Sequence, residues 1–85
     1  MIYAGIDVAK DKHDCLIVDS NGKVLSKVFT VTNNKQGFDE LFVNLRTHSK
    51  DLSELKVGLE ATGHYSDNLL EFLIANDLPT TVINP

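Results

Sequence analysis

The chain has 85 residues, of which 42% are hydrophobic and 24% are charged, and its formal net charge is −4. This length suits one small domain, and the composition argues against disorder. No apolar run approaches the ~18–20 residues of a membrane span, and the acidic balance excludes a free-standing nucleic-acid binder held by bulk charge. The single cysteine, Cys15, excludes an internal disulfide and indicates a reducing cytoplasm.

The start of the chain predicts an antiparallel meander of three strands. Met1–Val8 is apolar apart from Asp7, which is typical of a central strand covered on both faces. His13–Asp19 is the second strand, and the alternation of residues over Lys23–Thr32 predicts the third. Asn21-Gly22 lies between these two segments, and this dipeptide between apolar runs is a strong hairpin signal.

Two helices are predicted in the remaining chain. Asn33-Asn34 provides an N-cap for a helix over Lys35–His48, and a second helix is predicted over His64–Ala75. Asn76 is expected to adopt the left-handed C-cap conformation that ends the second helix. Apolar residues recur at helical spacing and are expected to face the core: Phe38, Leu41, Phe42 and Leu45 on the first helix, and Tyr65, Leu69, Phe72 and Leu73 on the second.

The predicted fold class is α/β, with a mixed five-stranded sheet flanked by helices. Leu55–Glu60 and Thr80–Ile83 are the fourth and fifth strands, so the order of elements is β-β-β-α-β-α-β. A strand that returns through a crossover helix lies parallel to its neighbour, which places the first strand at the centre, between the second and the fourth.

Asp7 and Glu60 are the strongest candidates for a functional site. Both follow apolar strands, and ligands in α/β sheets gather beyond the carboxyl ends of parallel strands. Neighbouring parallel strands lie about 4.8 Å apart, so the two carboxylates are expected side by side. Oxygen ligands suit a hard divalent cation, and the pair is therefore predicted to form half of a metal site.

Four further residues are candidates for contacts with nucleic acid. Lys10 and Lys12 lie on the turn after Asp7, and each is either a solvated charge or a phosphate contact. Thr62, which with Gly63 offers a cap for the second helix, is placed to meet a phosphate together with backbone N–H groups. His64 follows the same turn and is assigned either a substrate role or a surface role.

Other features point to structure only. Cys15 lies in an apolar run and is expected to be a small buried hydrophobe. His13 is predicted to lie on the surface of its strand. Residues 58–63 have the spacing of a phosphate-binding loop, but His64 and Tyr65 follow where that motif has Lys and a hydroxyl residue.

Four segments in order carry a family resemblance: Gly5–His13, Asn21–Leu25, Glu60–Tyr65 and Val82–Pro85. Together they resemble the N-terminal domain of DEDD-type insertion-sequence transposases, the Piv/MooV-related recombinases. The catalytic domain of that family is similar to the Holliday-junction resolvase RuvC and has a ribonuclease H-like fold. The resemblance covers essentially the whole chain.

The resemblance implies metal-dependent phosphodiester chemistry in DNA transposition or site-specific recombination. Four acidic residues, Asp, Glu, Asp and Asp, hold Mg²⁺ or Mn²⁺ in the family, and Asp7 and Glu60 match the first two. The other two follow strand five, beyond Pro85. We therefore expect residues 1–85 to be a single truncated catalytic domain that lacks the C-terminal helix of the complete fold, binds metal weakly and is inactive alone. DNA is the implied partner of the full-length protein, the resemblance allows a structured guide RNA and a homo-oligomer, and no membrane is involved.

Two alternatives stay open at the level of the sequence. A domain with half of its ligands is also suited to be a non-catalytic module for dimerisation or partner binding. An actin-like ATP-binding kinase fragment also begins with a strand, an acid and a hairpin. The fingerprint of such kinases resembles Asp-x-Gly-Thr, whereas Asp7 is followed by Val8-Ala9-Lys10. Tight ATP binding would be needed to favour the kinase interpretation.

Overall fold

A computed structural model describes residues 1–60 and 65–83 of the chain. Its elements are β1 (Ile2–Val8), β2 (Lys12–Asp19), β3 (Phe29–Thr32), α1 (Lys35–His48), a short 3₁₀ turn (Leu52–Glu54), β4 (Leu55–Glu60), α2 (Asp67–Ala75) and β5 (Thr80–Ile83). The strands form one five-stranded sheet in the order β3-β2-β1-β4-β5. β1 is antiparallel to β2 and parallel to β4, which confirms the mixed sheet with β1 at its centre.

Both helices pack against the same face of the sheet. The Phe38 ring of α1 and the Phe72 ring of α2 have centroids 5.5 Å apart, so the helices also contact each other. The strand residues beneath them form the core: Ala4, Ile6, Val8, Cys15, Ile17, Val31, Leu55, Val57 and Leu59. This arrangement buries Cys15, as predicted.

The opposite side of the three central strands is here named the open face. It consists of Tyr3, Gly5 and Asp7 of β1, Asp14, Leu16 and Val18 of β2, and Lys56, Gly58 and Glu60 of β4, all of them exposed or half-buried. The prediction that β1 is covered on both faces is therefore wrong within the described residues. The apolar run misled because Gly5 counts as apolar in the pattern but contributes no side chain that needs cover.

α1 has the bounds predicted from its cap and its periodicity. The Asn34 side chain accepts a hydrogen bond from the Gly37 N–H at 2.9 Å, which satisfies one of the free donors of the first turn. Gly37 packs so closely against the backbone of Thr32 that an added Cβ would overlap the Thr32 carbonyl group. Glycine is therefore required at this position by the contact between α1 and the end of β3.

β3 is shorter than the segment Lys23–Thr32 that the alternation predicted. Between Val24 and Phe29 the ladder is interrupted, because the Leu25 and Ser26 N–H groups both donate to the Ile17 carbonyl, at 2.8 and 3.3 Å. The Ile17 N–H then donates to the Ser26 hydroxyl at 3.0 Å. A side-chain hydroxyl has thus replaced a backbone partner.

α2 begins at Asp67, later than predicted. Tyr65 and Ser66 form a turn, and Tyr65 is 45% exposed, so its assignment to the core is wrong. Of the other positions predicted to be buried, Leu69 and Leu73 are fully buried, and Phe72 is half-buried against the core. The predicted cap, Thr62 or Gly63, lies outside the described residues.

The end of α2 differs by one residue from the prediction. Asp77, with φ +57°, is the left-handed residue, whereas Asn76 has φ −101°. The side-chain Nδ2 of Asn76 instead donates to the Phe72 carbonyl at 2.8 Å. The Leu78 N–H donates to the Leu73 carbonyl at 3.0 Å, which completes a Schellman-type ending. Neither described helix is long and apolar enough to cross a membrane.

Candidate metal site on the open face

The sheet brings Asp7 and Glu60 together. β1 and β4 pair in parallel register from Ile2 opposite Leu55 to Asp7 opposite Glu60, so the two acids occupy equivalent positions at the carboxyl ends of neighbouring strands. Both residues are exposed and belong to the open face. Strands in a sheet are about 4.8 Å apart, which is a separation that two carboxylates can bridge around one cation.

Asp14 is a third carboxylate beside this pair, and the sequence interpretation missed it. It is the antiparallel partner of Asp7, so Asp14, Asp7 and Glu60 form a row across β2, β1 and β4. The Thr30 hydroxyl donates to Asp14 Oδ1 at 2.7 Å and orients this side chain. Counting outward from the tight turn between β1 and β2 would have paired residue 7 with residue 14.

An open depression of about 360 Å³ runs along the open face next to the three acids. Gly5 and Gly58, which are register partners, form its floor, and Leu16, Val28 and Ile83 are among its apolar walls. A Cβ added to Gly5 would meet no atom within 4 Å. The two glycines therefore leave backbone exposed beside the carboxylates, where another group can approach closely.

The candidate residues for nucleic-acid contacts are only partly described. Lys10 is exposed on the connection between β1 and β2, and Lys12, predicted on the same turn, is the exposed first residue of β2, at the same end of the sheet as Asp7. The other two candidates, Thr62 and His64, lie outside the described residues. The structure thus places both lysines at the end of the sheet where β1 ends, with Asp7 nearby in the chain.

The donors present suit a hard divalent cation. Mg²⁺ and Mn²⁺ prefer carboxylate oxygens, and Asp7 and Glu60 offer these on rigid strands. Within residues 1–60 and 65–83, no group of three or more His, Cys, Asp or Glu side chains is close enough together to hold a metal ion, even with Asp14 adjacent. Mg²⁺ takes about six ligands, so two carboxylates supply only a minority of them.

Cys15 takes no part in this chemistry. It lies in the core beneath the row of acids, and burial, with a smaller contribution from the Asp14 charge, raises the pKa of its thiol from 9.0 to about 12. A thiol with such a pKa is almost entirely protonated near neutral pH and is a poor nucleophile and metal ligand.

Comparison with known families shows which family the chain belongs to. The model of a DEDD family described as "Transposase", named for IS110, matches residues 4–85. The chain belongs to this DEDD transposase family. The predicted family membership is therefore confirmed.

Two curated relatives of this transposase chain are pilin gene-inverting proteins, from Moraxella lacunata and Moraxella bovis. Each is 35% identical over 83 residues, which are 98% of this chain. The same residues are 25% of each relative, so the chain spans a quarter of the length of these proteins.

Solved structures confirm the fold. Thermus thermophilus RuvC in complex with a Holliday junction substrate matches with a TM-score of 0.63 at 14% identity, over 100% of this chain and 66% of RuvC. Archaeoglobus fulgidus Pelota matches with a TM-score of 0.59 at 13% identity, over 99% of this chain and 27% of Pelota. At such identities the likeness concerns the fold alone, which is the predicted RuvC-like, ribonuclease H-like arrangement.

Proposed function

We propose that residues 1–85 supply two metal-binding carboxylates, Asp7 and Glu60, to the catalytic domain of a DNA transposase or site-specific recombinase. The observation that carries this proposal is the register pairing of the two acids at the carboxyl ends of the central parallel strands, on an exposed face. In the longer proteins of the family, we expect the remaining ligands to come from chain outside these residues. Because the chain spans a quarter of its curated relatives, the activity belongs to the longer protein.

The residues of this chain have defined tasks in the proposed chemistry. A bound Mg²⁺ or Mn²⁺ supplies Lewis-acid stabilisation of a phosphodiester and activation of an attacking hydroxyl. Asp7 and Glu60 would hold the ion on strands whose ladders limit their movement. Lys10 and Lys12 offset the charge of nearby phosphates, which the acidic row would otherwise repel. Thr62 and His64 remain predictions for the same substrate.

DNA is the proposed substrate, and gene inversion by the Moraxella relatives supports recombination as the class of reaction. The Gly5–Gly58 floor supports this assignment, since it leaves room beside the carboxylates for a phosphodiester backbone. A structured guide RNA and a homo-oligomer are compatible with the proposal and need their own tests. We expect residues 1–85 alone to bind metal weakly and not to cut DNA.

A titration of the 85-residue protein with Mn²⁺, followed by NMR, tests the metal site. We expect paramagnetic broadening centred on Asp7 and Glu60 at millimolar metal, because two carboxylates give weak binding. Asp7→Asn should abolish this local broadening. Asp39→Asn, which removes an exposed acid on α1, is the matched control and should leave it intact. Broadening spread over all surface acids, unchanged in Asp7→Asn, would contradict the site.

A further inference from the structure

We propose that His13 and Asn33 are positioning residues that fix the Lys10 turn, defined as residues 9–11, relative to Asp7. The inference deepens the proposed function and rests on it, because the turn carries Lys10 and leads into Lys12. Neither His13 nor Asn33 belongs to the acidic row. Both act through the backbone of the turn.

His13 was predicted on the surface, but it is fully buried. It shares the helix-facing side of β2 with Cys15 and Ile17, and its ring stacks with Phe38 at a centroid distance of 6.4 Å and an interplanar angle of 13°. The prediction of a surface position was based on the polar ring, whereas burial follows the alternation of the strand. A histidine therefore occupies a position whose neighbours are apolar.

The Nδ1 atom of His13 has a specific partner. It accepts a hydrogen bond from the Ala9 N–H at 3.2 Å. An accepting Nδ1 carries no proton, so the neutral ring has its proton on Nε2. Nε2 is buried and has no hydrogen-bond partner among the described residues. A buried unpaired donor opposes folding, so an apolar side chain would suit core stability better here.

Asn33 holds the other two residues of the turn. Its side-chain Nδ2 donates to the Lys10 carbonyl at 2.9 Å, and its backbone N–H donates to the Asp11 carbonyl, also at 2.9 Å. Asn33 lies directly after β3 and next to Asn34, the cap of α1. Its Oδ1 is buried without a hydrogen-bond partner in the described part of the chain, again a cost that fold stability alone does not explain.

Each residue of the Lys10 turn is thus bound through its backbone to His13 or Asn33. Exposed connections between strands are normally among the most mobile parts of a domain. Here the turn, which begins two residues after Asp7, is attached by the three bonds to β2 and to the β3–α1 junction. The bonds fix where Lys10 and Lys12 lie relative to the carboxylates, and small displacements of groups that orient a substrate reduce rates strongly.

Amide hydrogen exchange of the 85-residue protein and DNA binding by the longer protein test the inference. His13→Leu removes the acceptor but keeps an apolar side chain, and we expect exchange of the Ala9 amide to rise at least tenfold. The Val57 amide, which donates to the Pro79 carbonyl, should keep its protection and report an intact sheet. His13→Asn, with an amide oxygen near the place of Nδ1, should restore much of the Ala9 protection.

Asn33→Ala provides the second arm. We expect the ¹⁵N order parameters of Lys10 and Asp11 to fall in Asn33→Ala, with unchanged protection of the sheet. In the longer protein, both Asn33→Ala and His13→Leu should weaken DNA binding about threefold, because the lysines proposed to contact phosphates are no longer held in place. Ala9 exchange at the wild-type rate in His13→Leu would overturn the positioning role. So would a mobile turn in the variants with undiminished DNA affinity in the longer protein. Absence of site-specific broadening in the wild-type protein would instead refute the metal site itself and leave the exchange result to decide the structural role of His13.

Discussion

Gly5→Ala and Gly37→Ala form a pair of substitutions whose opposite outcomes follow from the structure. At Gly5 an added Cβ meets no atom within 4 Å, so the methyl group enters open space above the sheet. Alanine then has fewer unfolded conformations to lose than glycine, which is worth about 0.4–1 kcal/mol. We expect the free energy of unfolding to rise by that amount in Gly5→Ala.

At Gly37 the same methyl group overlaps the Thr32 carbonyl, and the Thr32 backbone nitrogen would lie at 2.7 Å. Neither backbone atom can move without shifting β3 or the first turn of α1. Overpacking in such places costs about 1–3 kcal/mol, which exceeds the gain in helix propensity of roughly 1 kcal/mol from replacing glycine. We therefore expect net destabilisation in Gly37→Ala.

Urea denaturation followed by circular dichroism measures both changes. A difference of 1 kcal/mol moves the melting temperature of a domain this small by about 4–8 °C, so thermal melts give a second estimate. Destabilisation of Gly5→Ala by more than about 1 kcal/mol would refute the description of the open face as free space. If Gly5→Ala is stable but binds Mn²⁺ or DNA less well in the longer protein, the glycine serves the site.

Three further predictions concern the core and the activity. Leu41→Ala should cost about 2–5 kcal/mol in the free energy of unfolding, because Leu41 is fully buried, and urea midpoints close to wild type would contradict the assigned core. Cys15 should resist iodoacetamide at pH 8 until the protein is unfolded. Burial raises the pKa of Cys15 from 9.0 to about 12, so the folded state favours the neutral thiol. The stability that the buried neutral thiol contributes should therefore be lost as the pH rises from 9 to 12, because the unfolded chain ionises first. Cys15→Ala should not show this loss. Residues 1–85 with Mg²⁺ should leave supercoiled plasmid intact on agarose gels, and nicking that Asp7→Asn abolishes would disprove inactivity of the domain alone.

The row of acids was only partly predictable from the sequence. Asp7 and Glu60 emerge from two apolar strands that each end in a carboxylate, once a parallel pairing is assumed. Asp14 emerges only from the antiparallel register of β1 and β2. Such a register depends on the length and geometry of the turn, and a change by one residue would send Asp14 to the opposite face.

Local signals determined several elements by themselves. α1 follows from the Asn34 cap and a regular apolar face, and β4 and β5 have the predicted bounds. These elements are specified by interactions within a few residues, so the pattern of the chain is enough to find them. The family resemblance also depends on the sequence alone, and the match over residues 4–85 confirms it.

The tertiary structure alone decided which polar residues are buried and which apolar ones are not. His13 is inside because its strand position faces the two helices, and Tyr65 is outside because α2 begins two residues later. β1 has one covered face because both helices pack on the side of Ala4 and Ile6, which leaves Asp7 and Glu60 accessible. Which face of a strand is covered depends on contacts between residues far apart in the chain, and the residue types of a short segment do not by themselves decide it.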